Sequence, residues 1–258
     1  MKLKVLEQNK DTLKVEFDGV DPSVVGAIRR TIINRVPVLA IEDIDILVNS
    51  SALYDEVIAH RLGMVPFVFD VKKLVQKNVC SCKGAGCDKC EVTMVLNKVG
   101  PCKVYAKDIK IANSSVKTVD GNVLLISLLD KQRLHFEMRA ELNIAKEHAK
   151  WQPAIVGYSY DADAKGSGKN KVVFNLKSIS GLNPKQIILK SVEIMKQRLD
   201  VFEEALKSPG KNIPEPGDET VEKKVVIKAV KKEVSDTEEV KEEVKEKKKV
   251  STEEAGVA

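Results

Sequence analysis

The chain has 258 residues, 43% of them hydrophobic, which is enough for a sizeable core in one or two domains. Its formal charge of +5, from 43 basic and 38 acidic residues, is too mild for a dedicated nucleic-acid binder. Met1–Lys10 has no apolar signal core, and no stretch approaches the ~20 apolar residues of a membrane span, so a soluble, intracellular, cytoplasmic protein with no membrane partner is expected.

In chain order, Leu3, Val5 and Leu13, Val15, Phe17 alternate with polar residues around Asn9-Lys10-Asp11, which predicts a β-hairpin. Asp21-Pro22 then marks a helix start, with the carboxylate as cap and the proline in the first turn. Val24, Val25, Ile28, Ile32 and Ile33 fall on one face of that helix, with Arg29 and Arg30 on its flank. Pro37 ends it. Val38–Val48 reads as a strand carrying Glu42, Asp43 and Asp45, the last two on one face as a salt-bridged or solvated edge. A short helix over Leu53–Leu62, a strand over Val65–Val71 and a cysteine loop over 78–91 follow. Strands are then predicted at Val92–Val99, Val104–Ile111, Val123–Leu129, Leu134–Leu142 and Val172–Leu176, with Asp161–Asn170 as an exposed hairpin loop.

Asn183-Pro184 repeats the cap-and-proline signal and opens the strongest helix. Ile188, Val192, Met195, Leu199, Phe202 and Leu206 form a heptad-like stripe, and Ile187, Ile194 and Val201 a second row beside it. So broad a face is expected to serve the protein's own sheet with one part and a partner helix with another. From Pro209 onward there are 11 lysines against 13 acids, a net −2 that leaves the preceding body at +7. The Lys223–Lys249 stretch has no aromatic residue and too little apolar surface to offset its ordering entropy, so 209–258 reads as a charged, disordered tail, or as a charged helix formed on binding.

Cysteine supplies the one metal-type pattern. Cys80, Cys82, Cys87 and Cys90 put four thiols into eleven residues around Lys83-Gly84-Ala85-Gly86, a turn that lets four sulfurs converge on a tetrahedral zinc. Lys83 and Lys89 would offset the charge of four thiolates. An iron–sulfur cluster and unmetallated thiols are the alternatives, although the Cys-x2-Cys-x2-Cys run of bacterial ferredoxins is absent. Cys102 reads as a small buried side chain, with a spare ligand as the alternative. His60, His135 and His148 have no nucleophile or paired carboxylate at motif spacing, so no catalytic residue is expected. His148-Ala-Lys-Trp-Gln-Pro153 reads as a stacked turn or a contact surface. Asn49-Ser-Ser and Asn113-Ser-Ser match the glycosylation pattern, but in an intracellular chain both are accidental.

Taken together, Ala27-Ile-Arg-Arg30, Ala40-Ile-Glu42, Asn49-Ser-Ser51, Asp55-Glu-x-Ile-Ala-His-Arg-Leu-Gly-Met-Val-Pro66 and Lys146–Pro153 resemble the family of the archaeal RNA polymerase D polypeptide, the third subunit of that enzyme. That family includes its eukaryotic counterparts and is related to the amino-terminal domain of the bacterial α subunit. The resemblance covers Met1 to about Ser208 and departs at Gly26, where the family usually has asparagine. The chain also lacks the ferredoxin-like, iron–sulfur insertion that many archaeal members of the family carry, since the stretch between Trp151 and Val172 is short and free of cysteine.

The resemblance implies an α+β fold: a bacterial-alpha-like dimerisation domain with an inserted mainly-β domain carrying the cysteine loop. The expected division is 1–48 and 166–208 for the dimerisation domain and 49–165 for the insert, with the loop at 78–91. The implied function is that of a non-catalytic assembly subunit of DNA-directed RNA polymerase, the nucleotidyltransferase activity residing in the large subunits. Its implied partners are the smaller α-like subunit L, the small subunits N and P, and the large catalytic subunits, with DNA and RNA met only through the complex. The surface implied for L comprises Ile28, Arg29, Arg30 and Ile32 of one helix with Ile188, Val192, Met195, Leu199, Phe202 and Leu206 of the other. A stand-alone zinc-loop nucleic-acid-binding protein is the alternative.

Overall fold

A computed structural model describes residues 2–71, 73–160 and 171–207; the expected 161–170 loop and the tail from Pro209 lie outside them. The hairpin forms as its alternation predicts: β1 (Lys2–Gln8) pairs antiparallel with β2 (Thr12–Asp18), and Asn9 N–H donates to the Thr12 carbonyl to close the turn. Helix α1 (Pro22–Arg35) starts where the Asp21 carboxylate accepts the Ser23 N–H at 2.7 Å. Hydrogen bonding from the Ser23 side chain, and then from its N–H, holds the Asp21 carboxyl below its ordinary range. Val25 and Ile32 are buried and Ile28 and Ile33 pack against the core, but Val24 is exposed, so the buried face is narrower than the sequence pattern.

The chain then runs through β3 (Val38–Asn49), α2 (Asp55–Gly63) and β4 (Phe67–Val68). The Asn-Ser-Ser triplet at the end of β3 is a turn: Asn49 Oδ1 accepts from Ser51 N and Oγ, and Asn49 Nδ2 reaches the Asp55 carboxylate that opens α2. Asn113-Ser-Ser115 repeats the first two bonds. The strand expected over Val65–Val71 shrinks to two residues, because β4 finds only the short β8 (Lys117–Thr118) as partner.

After the cysteine loop come β5 (Glu91–Val99), β6 (Cys102–Tyr105), β7 (Lys110–Ile111), β8, β9 (Leu124–Leu128) and β10 (Arg133–Asn143). The single strand expected over Val104–Ile111 is split by a 3-10 turn at Ala106–Asp108, where the Asp108 carboxylate accepts the Tyr105 N–H. A second 3-10 turn, Ala149–Trp151, leads into β11 (Ala154–Tyr160), which the sequence reading missed, and then β12 (Lys171–Ser178) and α3 (Pro184–Lys207).

Two four-stranded sheets dominate, one ordered β1-β2-β12-β11 and the other β3-β10-β5-β7. In the first, Leu13, Val15 and Phe17 of β2 face Val172, Phe174 and Leu176 of β12, with Phe17 and Phe174 edge to face at 6.0 Å, and α1 packs on β11 and β12. In the second, Leu134, Phe136, Met138 and Ala140 of β10 bury beside Val92, Met94 and Leu96 of β5, covered in part by Ile58 and Leu62 of α2. Asp43 and Asp45 are indeed salt-bridged, both to Arg139 on the outer face.

The chain divides into two units at Lys196/Gln197. In the first, Ile187 and Ser191 of α3 are fully buried and Ile188 and Ile194 pack on the core. The described part of the second is the rest of α3, where Leu199, Phe202 and Leu206 are 65%, 57% and 64% exposed.

Candidate metal centre and partner surfaces

The cysteine loop leaves a 3-10 turn at Lys77–Val79 and ends in β5, so both its arms are anchored by regular structure. Between them, Lys83, Gly84 and Gly86 adopt positive φ (56°, 86° and 87°), which tightens the loop until its thiols meet. Lys83 N–H donates to the Cys80 carbonyl, and the Cys90 and Glu91 amides both donate to that of Cys87. Val75 N–H to the Lys89 carbonyl closes the base.

The four Sγ atoms lie within 4.8 Å of one another, with Cys80–Cys87 at 3.5 Å, Cys82–Cys90 at 3.6 Å and Cys87–Cys90 at 3.7 Å. A tetrahedron of ~2.3 Å zinc–sulfur bonds has edges of about 3.8 Å, so these four residues fit a four-thiolate metal ion. Burial raises the Cys82 thiol, but bonds from Cys80, Cys90 and the Gly84 and Gly86 amides outweigh it and bring the thiol down to about 6. Burial pushes the Cys90 thiol up to about 12. One member of the set is therefore ready to ligate at neutral pH, and another gives up its proton only to a metal.

The charges that hold this loop to the second sheet were not read from the sequence. Lys77 lies 3.9 Å from Glu91 and 3.8 Å from Glu141, and Glu91 is 3.3 Å from Arg139. Only the register of β5 against β10, which sets Glu141 opposite Glu91, brings these residues together. Cys102 stands apart from the four, its Sγ 3.4 Å from the Val99 carbonyl, and is half-buried rather than buried.

Arg29 is half-buried and donates through Nε to the Val156 carbonyl at 2.9 Å, whereas Arg30 is exposed. Ile28 packs on the core and Ile32 is fully buried within the chain. On α3, Ile188, Val192 and Met195 are half-buried, and Leu199, Phe202 and Leu206, which follow in the sequence row, are exposed. A second uncovered surface had no sequence signal: Leu3 and Val5 of β1 stand opposite Phe17 and Val15 in register, yet are 56% and 45% exposed. The inner face of the first sheet thus loses its cover at its β1 edge. The histidines form no cluster; His148 Nδ1 accepts the Lys150 N–H and its ring meets Trp151 edge to face. Trp151 is buried, a core residue of the HAKWQP turn.

Residues 41–156 match the RNA polymerase Rpb3/RpoA insert domain. The matched stretch runs from β3 into β11 and contains the cysteine loop. The chain is also similar to archaeal DNA-directed RNA polymerase subunits Rpo3. It is 38% identical to that of Thermococcus kodakarensis over 160 residues, 62% of this chain and 60% of the relative. Against the Pyrococcus furiosus subunit it is 38% identical, covering 62% and 59%, and against that of Methanopyrus kandleri 40% identical, covering 52% and 50%. The chain thus spans about three fifths of the length of the first two. The family resemblance read from residues 27–66 and 146–153 agrees with these matches. Among the described residues no helix is long and apolar enough to cross a membrane.

Proposed function

We propose that this protein is a non-catalytic assembly subunit of DNA-dependent RNA polymerase. In this reading it heterodimerises with the smaller α-like subunit L and, with N and P, nucleates docking of the large catalytic subunits in the cytoplasm. The observation that carries the proposal is the insert-domain match over 41–156, joined to similarity with named polymerase subunits. The uncovered apolar surfaces support it: Leu3 and Val5 at the β1 edge, and Leu199, Phe202 and Leu206 on α3, expose side chains that an isolated domain would bury. The expected bounds of 49 and 165 for the insert do not follow the sheets: β3 (Val38–Asn49) pairs with β10 and β11 (Ala154–Tyr160) with β12, so the insert is proposed to run from β3 through the Ala149–Trp151 turn, close to the 41–156 match, with the dimerisation domain on either side of it.

Zinc is the proposed ion for Cys80, Cys82, Cys87 and Cys90. With four thiolates it leaves no open position for substrate, so its contribution is to cross-link the loop rather than to catalyse. DNA and RNA are met only through the assembled complex.

Co-expression with subunit L tests the reading. A stable one-to-one complex on size exclusion is expected, while the chain alone aggregates. A monodisperse monomer with no affinity for L overturns it. Retention of the isolated chain on DNA, weakening steeply with salt, would favour the nucleic-acid-binding alternative instead.

A further inference from the structure

The ammonium of Lys150 has three partners, two of them on the distant dipeptide Ile41-Glu42 and the third its own neighbour Trp151. It donates to the Ile41 carbonyl at 2.9 Å, pairs with the Glu42 carboxylate, and stands 4.5 Å from the centre of the Trp151 ring. Its side chain is only 13% exposed, so each partner acts with reduced solvent screening. Gly63, the last residue of α2, lies flush against the same point: a Cβ there would sit 3.7 Å from the Ile41 carbonyl oxygen and 3.9 Å from Lys150 Cδ. Three sequence signatures, Ala40-Ile-Glu42, the Gly63 segment and the Lys150-Trp151 turn, therefore converge on one amine.

Their location gives the convergence its meaning. The chain passes between the two sheets twice, once from α1 through Pro37 into β3 and once from β10 through Ala149–Trp151 into β11. Ile41 and Glu42 follow the first crossing by a few residues, and Lys150 lies in the second. We infer that Lys150 is a positioning residue that fastens the two crossings to each other, so that the insert domain and the first sheet hold one fixed relation. This goes beyond the polymerase reading and does not rest on it.

Hydrogen exchange on the full chain, in whatever complex keeps it soluble, tests the inference. Lys150→Met keeps the aliphatic stem over Gly63 and removes the charge. The Trp151 and Gln152 amides, which donate to the His148 and Ala149 carbonyls, should then exchange about tenfold faster while central β10 amides keep their protection. Trp151 is the chain's single tryptophan, so the loosened turn should also raise acrylamide quenching of its emission. Lys98→Met, which removes a different ion pair at 2.7 Å with Asp108, should leave both readouts unchanged. Unaltered exchange at 151 and 152, or a uniform rise across both sheets, overturns the inference. Should Lys150→Met fail to fold, Glu42→Gln, which removes one partner and no core atom, carries the same readouts with a smaller rise expected and the same overturning results.

Discussion

The hydroxyl of Tyr158 on β11 occupies the space beside Gly26 of α1: a Cβ at position 26 would come within 3.1 Å of Tyr158 Oη and 3.7 Å of its Cζ. A tyrosine from the edge strand thus fills the place a side chain at 26 would take. Arg29 reinforces the same contact from the next turn through its bond to Val156. Alanine at 26 gains about 0.5–1 kcal/mol of helix propensity but must push the tyrosine aside. Gly26→Ala should therefore stabilise more in a Tyr158→Phe background than in the natural chain, by urea midpoints. Equal gains in both would show that the hydroxyl does not constrain the site.

The thiols should differ in reactivity when metal is removed by chelation. At pH 7 Cys82, brought down to about 6, is largely thiolate, whereas Cys90, pushed up to about 12, is protonated. Alkylation followed by mass mapping should label Cys82 first and Cys90 last. The stabilisation from the lowered Cys82 thiol is full above the ordinary thiol range and lost as pH falls through about 6, so metal retention should also fail on that acid side.

Metal analysis should find one zinc per chain. Cys87→Ser should abolish it and loosen residues 77–91, while binding to subunit L persists, because both anchors of the loop lie within the matched 41–156 stretch, away from α3. Loss of both together would deny the two regions separate roles.

Leu199→Asp should block heterodimerisation while shifting the stability of the chain itself by no more than about 0.5 kcal/mol, since Leu199 is already 65% exposed. Ile28→Asp also blocks pairing, but Ile28 packs on the chain's own core, so that variant should lower the unfolding midpoint as well. Pull-down with L, read beside thermal unfolding, separates the two effects.

Gly181 admits no side chain. A Cβ there would run into the backbone of Phe67 and Val68, so the segment leading to α3 lies directly on β4. Gly181→Ala should cost about 1–3 kcal/mol by overpacking, seen as a lower denaturation midpoint with an unchanged m-value.

By itself the sequence determined the elements whose signals are local. The hairpin around Asn9, the capped starts of α1 and α3, the length of β10 and the convergence of four cysteines follow from alternation, caps and short-range glycine turns. Family-specific spacing gave the likeness to RNA polymerase subunits that the comparisons bear out. Only the tertiary structure decided the rest, because those outcomes depend on which strand finds which neighbour. β11 forms by pairing with β12, and β4 stays short for want of a longer partner. Lys150 became a half-buried hub, and Lys77, Glu91, Glu141 and Arg139 became one network, through strand register and chain crossings that no window of sequence contains.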